Sequence, residues 1–196
     1  MKVADSFKSL FFLFAICWIG LRPLEIFAVD RLVIAHGSFG GPQAILQVIQ
    51  DAGLFEKNGL EVSRVFIAGA PTVVAAVIGG DTHMGVFGGA APLIARLRGQ
   101  DIVVIVSFIP ALDHSVYAQK GIGRLEDLKG KIIGITNFGS GDYYGARYAL
   151  TKFGLNPDKD VAYLQLGPQP NRYAALTAGR VHAALFQPPI TARLHR

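Results

Sequence analysis

Between Arg31 and Arg196 short apolar runs alternate with longer helical stretches, and nearly every join carries Gly, Pro, Ser or Asn. That rhythm restricts the chain to an α/β architecture with largely parallel strands, because each crossover helix carries the chain back to the end of the sheet where the previous strand began. Strands are expected at 32–36, 61–67, 84–87, 102–107, 115–119, 131–136, 161–166 and 182–186, and helices at 42–52, 71–78, 91–98, 142–153 and 171–178, with one opening near Pro189. Glycine follows each of the first five helices, at Gly53, Gly79-Gly80, Gly99, Gly154 and Gly179, where a left-handed residue ends a helix.

Lys2 and Lys8 precede an apolar run from Leu10 to Leu21, followed by Arg22, Pro23 and a stretch ending at Ala28. Basic, apolar and small residues in that order mark 1–28 as a secretory signal peptide. Its apolar run is shorter than the ~20 residues a membrane span needs. Cleavage is expected after Ala28, and Cys17 reads as apolar filler because Ile16, large and branched, precedes it. With no other cysteine, the remainder forms no internal disulfide and no thiolate metal site.

Hydrophobic residues make up 51% of the chain and charged residues 17%, which excludes a disordered protein. The net charge of +5 loses three positive and two negative groups with residues 1–28, leaving +4. The basic residues are scattered singly, so no phosphate-tracking stripe exists and nucleic acid is not an expected partner.

Two groups of βα units lie on either side of a segment at 110–119 that reads as a crossing strand, and no short internal repeat is evident. The expected division is a first lobe at 29–112 and a second at 113–196. Four strand-to-helix joins are rich in glycine: 37–42, 69–72, 88–90 and 139–142. Ligands of open parallel sheets bind beyond the carboxyl ends of strands, where backbone amides and positive helix ends face them. Amides of these loops, with the hydroxyls of Ser38, Thr72 and Ser140, suit a small anion or polar group, and Phe39, Tyr143 or Tyr144 are expected to supply an aromatic wall.

Other chemistries fit poorly. Gly139-Ser-Gly141 lacks the third glycine of the dinucleotide fingerprint, since Tyr144 stands in its place. Neither Ser38 nor Ser140 sits in a nucleophile elbow, because His36 and Phe138 occupy the position of the first glycine. Residues His36, His83, His114, His182 and His195 show no metal-ligand spacing. His83 and His182 read as polar residues at strand starts. No acid–base pair is visible, and Asp142 reads as a cap for the amides of its helix. No cofactor or metal is expected.

Four stretches carry a resemblance: Asp51-Ala-Gly-Leu-Phe-Glu-Lys-Asn-Gly-Leu-Glu-Val62, Ala75-Ala-Val-Ile-Gly-Gly-Asp81, Leu125-Glu-Asp-Leu-Lys-Gly-Lys-Ile-Ile-Gly-Ile135 and Ala174-Ala-Leu-Thr-Ala-Gly-Arg-Val-His-Ala183. With them the chain resembles the ABC-transporter periplasmic solute-binding proteins for sulfonate, nitrate and taurine, together with the thiamine-precursor-synthase-like domains. His182 departs from that pattern, which often has an acidic residue there. The resemblance implies a two-lobed type II periplasmic binding fold, each lobe a mostly parallel sheet flanked by helices. It also implies capture of a small anionic or polar solute, delivery to an ABC permease in the inner membrane, a periplasmic monomer and no catalysis. A chain returning from the second lobe to complete the first is implied as well, so the family pattern is expected to be truncated here at its C-terminal end. The expected contacts are Ser38, Phe39, Gly40, Gly69, Ala70, Gly88, Gly89, Ser140, Gly141, Asp142 and Gln187, with the hinge at 110–118. The rivals are an enzyme of thiamine-pyrimidine-precursor synthesis, cytosolic and dependent on reactive His or Cys groups, and a sensory ligand-binding module.

Overall fold

The structure, a computed structural model, describes residues 30–38, 40, 43–109 and 111–194. The signal peptide, Phe39 and His195 therefore lie outside the described residues. Strand β1 (Asp30–His36) leads to helix α1 (Ala44–Asp51), a short helix α2 (Leu54–Lys57) and strand β2 (Leu60–Phe66), then helix α3 (Ala70–Gly79), strand β3 (Met84–Val86) and helix α4 (Ala91–Leu97). The second half holds β4 (Ser115–Ala118), a 3₁₀ turn (Leu125–Leu128), β5 (Lys131–Ile135), α5 (Gly141–Lys152), β6 (Val161–Gln165), α6 (Gln169–Thr177), β7 (Ala183–Phe186) and α7 (Thr191–Leu194).

These strands form two sheets, ordered β2-β1-β3 and β4-β7-β5-β6. The first is wholly parallel, with Asp30 opposite Leu60 and Ile34 opposite Met84. In the second, β7, β5 and β6 run parallel, and β4 joins antiparallel with Ser115 opposite Phe186. Burial follows position. Edge strand β2 alternates exposed and half-buried residues along its length, as a strand with one face on the core must. Central strand β7 is buried at every residue, which is why its sequence is a continuous apolar run.

The expected α/β class and parallel rhythm hold, and Gly53, Gly80, Gly99, Gly154 and Gly179 all lie in the left-handed region, with φ between 63° and 82°. Short helix α2 and the 3₁₀ turn were not anticipated, and α6 opens two residues early because Pro170 is accepted in its first turn.

One expected strand is absent. Residues 102–107 form no ladder, and Val103, Val104, Ile105 and Val106 are 55–71% exposed. A β-branched run becomes a strand only with a partner for its amides, and no described strand pairs with it.

A short repeat does exist. Gly80-Asp-Thr-His83-Met-Gly-Val-Phe87 and Gly179-Arg-Val-His182-Ala-Ala-Leu-Phe186 share Gly, His and Phe at the same spacing, each crossing from a helix end into a strand of its own sheet. The histidines do the same work. His83 Nδ1 accepts the Val33 N–H at 3.0 Å and His182 Nδ1 accepts the Ile132 N–H at 3.1 Å. Each ring extends the ladder beside its strand by one acceptor, so His182, the departure noted in the sequence, matches its counterpart in the other half.

Candidate functional site

The carboxyl ends of β1, β2, β3, β5, β6 and β7 converge on one cavity of about 290 Å³, lined from both halves of the chain. Ser38, Gly69, Ala70, Gly88, Ser140, Gly141, Asp142 and Gln187, all expected from the sequence, line it. Ser38 and the 140–142 turn thus meet at a single cleft instead of facing opposite surfaces. Gly40 and Gly89 pack one layer back. A Cβ on Gly40 would lie 2.5 Å from Gln187 Oε1, and one on Gly89 would lie 3.0 Å from Gly141 Cα.

Several of these glycines answer to the other half of the chain. Gly69 has φ 86°, and a Cβ there would collide with the side chain of Asn137. Asn137 in turn donates from Nδ2 to Ala68 O at 3.5 Å and to Thr72 Oγ1 at 3.4 Å. Thr72 therefore serves the contact between halves and does not line the cavity.

The hydroxyls expected to grip a solute are largely engaged by the protein. Ser38 Oγ donates to Gln43 Oε1 at 2.9 Å and accepts the Gly40 N–H at 3.2 Å. That leaves the Gln43 amide N–H₂, on the cavity wall, without a partner among the described residues. Ser140 Oγ reaches Asn137 O at 2.6 Å and bonds the Asp142 carboxylate.

Asp142 is not the helix cap expected. Its Oδ2 accepts the Thr136 N–H at 2.7 Å and the Thr136 hydroxyl at 3.1 Å, tying the end of β5 to α5, whose first amides have no side-chain cap. The expected aromatic wall differs too. Tyr143 packs on Phe138, Tyr144 and Tyr163, and neither Tyr143 nor Tyr144 lines the cavity, where Phe87 is the one phenyl ring among the described residues.

Two of the lining residues that sequence reasoning missed carry titratable side chains, Arg172 and His114. Arg172 is 3% exposed and binds Thr136 Oγ1, Gly167 O at 2.7 Å and Leu185 O at 3.2 Å, so it joins the ends of β5, β6 and β7. Asp142 Oδ2 lies 3.6 Å from it. Burial lowers the pKa of this guanidinium, and the Asp142 charge opposes that shift. His114 lies 3.3 Å from the Asp113 carboxylate. Burial holds its pKa below 6.5, assisted by Arg172 and opposed by Asp142 and Asp113. A signal for Arg172 was present in the sequence: it shares the buried face of α6 with Ala175 and Leu176, and a charge on an apolar stripe requires a partner. Gln187 completes the floor, its N–H donating to Gln169 Oε1 at 2.9 Å and its Nε2 to Asp113 Oδ1 at 2.6 Å.

Such a cavity can hold a small solute by amides and buried donors, with Phe87, Pro168, Pro170, Pro189 and Ile190 as its apolar wall. A Brucella abortus protein named as a candidate binding protein is 36% identical over 126 residues, which cover 64% of this chain and 38% of that relative. A solved structure from Bordetella bronchiseptica superposes with TM-score 0.76 at 26% identity, over 85% of this chain and 54% of the other. The alkanesulfonate-binding protein SsuA of Xanthomonas axonopodis pv. citri, bound to MOPS, gives 0.72 at 24% identity, over 85% and 57%. The periplasmic aliphatic sulphonate binding protein SsuA of Escherichia coli gives 0.61 at 23%, over 85% and 58%. The chain thus has the fold of these binding proteins and spans little more than half the length of the solved structures. Residues 43–188 match the NMT1/THI5-like family, a stretch that holds most of the described chain and most of the cavity wall, and the chain belongs to that family.

Proposed function

We propose that this chain is the solute-binding component of an ABC importer, exported through residues 1–28 to the periplasm. There it acts as a monomer that captures a small anionic or polar solute of the sulfonate, nitrate or taurine kind and hands it to an inner-membrane permease. No bond of the solute is made or broken. The observation that carries this reading is the convergence of six parallel strand ends, from two sheets, on one cavity. Family membership and the binding-protein fold of the relatives support it.

In this reading Ser38, Gly40, Gly69, Ala70, Gly88, Gly89, Ser140, Gly141, Asp142 and Gln187 shape the contact surface, and Phe39, outside the described residues, is proposed as a further contact. Because the two serine hydroxyls are engaged internally, the grip comes from backbone amides and from Gln43. The lobes divide at 112/113, and the segment at 110–118 is the hinge about which they close and expel water.

The test is thermal melting of the purified chain against a panel of alkanesulfonates, taurine, nitrate and neutral polar solutes. A solute at 100 times its Kd stabilises the folded state by about 2.7 kcal/mol, a clear upward shift. No shift from any member would defeat the reading, and consumption of a bound solute would favour an enzyme instead.

A further inference from the structure

We infer that Gln169 is a specificity-determining residue of the cavity and the second-half counterpart of Gln43, so that a solute is held between two side-chain amide donors, one from each half. The inference rests on the solute-binding reading and adds the side chains that select the head group.

Both glutamines stand where a helix opens at the cavity wall. Gln43 is the N-cap residue of α1 and Gln169 the first residue of α6. They are 7% and 9% exposed, and which end of each amide is oxygen follows from its partners. For Gln169 the partner leaves no choice. The Gln187 N–H can only donate, so the atom 2.9 Å from it is Oε1 and Nε2 is turned away. Gln43 Oε1 takes the Ser38 hydroxyl at 2.9 Å, and the Ser38 oxygen in turn accepts the Gly40 N–H at 3.2 Å. Each side chain thus engages its acceptor within its own half and keeps the two N–H donors of Nε2 for the cavity. Both Nε2 atoms have exposed surface, and neither has a partner among the described residues.

The other polar side chains of the wall do not offer the same. Arg172 Nε and His114 Nδ1 also lack partners, but neither has exposed surface. The hydroxyls of Thr136 and Ser140 are engaged by Asp142, Arg172 and Asn137. Gln187 gives its Nε2 to Asp113 Oδ1 at 2.6 Å, so its Oε1 turns towards Gly40, where a Cβ would lie 2.5 Å away. The free side-chain donors on the cavity, among the described residues, are therefore the two glutamine amides. A head group with acceptor atoms on two sides bridges them, whereas a donor turned to either amide sets N–H against N–H and leaves both unmatched. Because one amide comes from each half, the head group is gripped from both sides only while the halves meet.

Side-chain amide NMR spectra of the parent protein, titrated with butane-1-sulfonate, taurine and nitrate, test this directly, each N–H₂ pair being assigned through its own residue's carbons. A saturating solute is expected to shift the pairs of Gln43 and Gln169 and to leave that of exposed Gln50 in place. Gln43→Glu and Gln169→Glu supply the energetic test. Each keeps the oxygen that accepts from Ser38 or from Gln187 and replaces only the donor, at a helix start where a carboxylate is favourable. Each is expected to weaken the bound solute at least about tenfold while the solute-free protein melts as the parent does. A glutamine that only supported the fold would instead keep its binding as Glu. Ser38→Ala, which lets the Gln43 amide turn, is expected to weaken the solute severalfold. Gln169 signals unmoved at saturation, with or without a shift at Gln43, overturn the inference and leave the solute-binding reading standing. So does a Gln169→Glu protein that binds like the parent. The spectra are read on the parent, so they decide the matter even if a variant fails to fold. A parent that binds none of the three solutes overturns the inference together with the reading it rests on.

Discussion

In the second sheet β7 lies between β4 and β5, and all four of its side chains, Ala183 to Phe186, are buried. Its counterpart in the repeat, β3, is an edge strand whose three residues are each half-buried. The two begin with the same Gly-x-x-His turn and end at phenylalanine, yet one is the centre of a core and the other its margin. The second half packs Leu128, Ile133, Ile135, Leu150 and Leu185 into one cluster and Ala175, Leu176, Val181, Ala184 and Phe186 into another. In the first half, Ala70, Val74, Ala91 and Ile102 form a thin cluster. The same local code thus gives a core or an edge according to what lies on its far side, and local pattern alone does not set burial.

Truncating the equivalent phenylalanines is the strongest way to break this comparison. Phe186 is fully buried, meets Tyr117 edge-on at 5.9 Å and lies under Arg172. Phe186→Ala is expected to cost about 3–5 kcal/mol of folding stability. Phe87→Ala is expected to cost at most about 2 kcal/mol, because Phe87 is only partly covered. Denaturant melts followed by far-ultraviolet circular dichroism measure both, and equal losses would erase the distinction between the halves.

Glycine substitutions sharpen it where the halves touch. Gly69→Ala meets a left-handed backbone and the Asn137 side chain together, whereas Gly80, with φ 80°, has nothing within 4 Å of a Cβ. The expected losses are about 2–3 kcal/mol for Gly69→Ala and about 1 kcal/mol for Gly80→Ala, the latter from backbone strain alone. Removing the obstruction with Asn137→Ala should restore part of the first loss and none of the second. If it restores nothing, Asn137 does not press on Gly69 in solution.

The paired histidines come next. His182 is half-buried and His83 exposed, so an amide left unmatched by His182→Ala loses more than one that water can reach. About 1 kcal/mol is expected for His182→Ala and a few tenths for His83→Ala. Hydrogen exchange at the Ile132 and Val33 amides reads the same difference directly. A larger fall in protection at Val33 in His83→Ala than at Ile132 in His182→Ala would reverse the comparison.

Much of this was legible in the sequence because it is local. Glycine and proline at the joins marked helix ends and placed the loops at strand ends, and eight of the eleven expected contacts line the cavity. What escaped depends on residues far apart in the chain. Arg172 meets Thr136 thirty-six positions away, and Gln187 meets Asp113 seventy-four positions away. No spacing rule encodes either. The repeat escaped because its shared residues are only three in eight, and its meaning appears once each histidine is seen accepting an amide from the neighbouring strand.

The smallest expected effect bears on residues 102–107, whose apolar, β-branched sequence predicts a strand. Val104 is 56% exposed and no described strand pairs with its segment, so replacing it removes little buried surface from the folded chain. Val104→Lys is expected to change stability by less than about 0.5 kcal/mol, as at other surface positions. A charge in the middle of an unpaired apolar run also discourages edge-to-edge pairing between copies, so sedimentation at high concentration should show less self-association in the variant. A loss above about 1 kcal/mol would mean that Val104 is covered within the folded chain. The contrast with β7 would then reflect which strand finds a partner first, since both segments would be buried in the end.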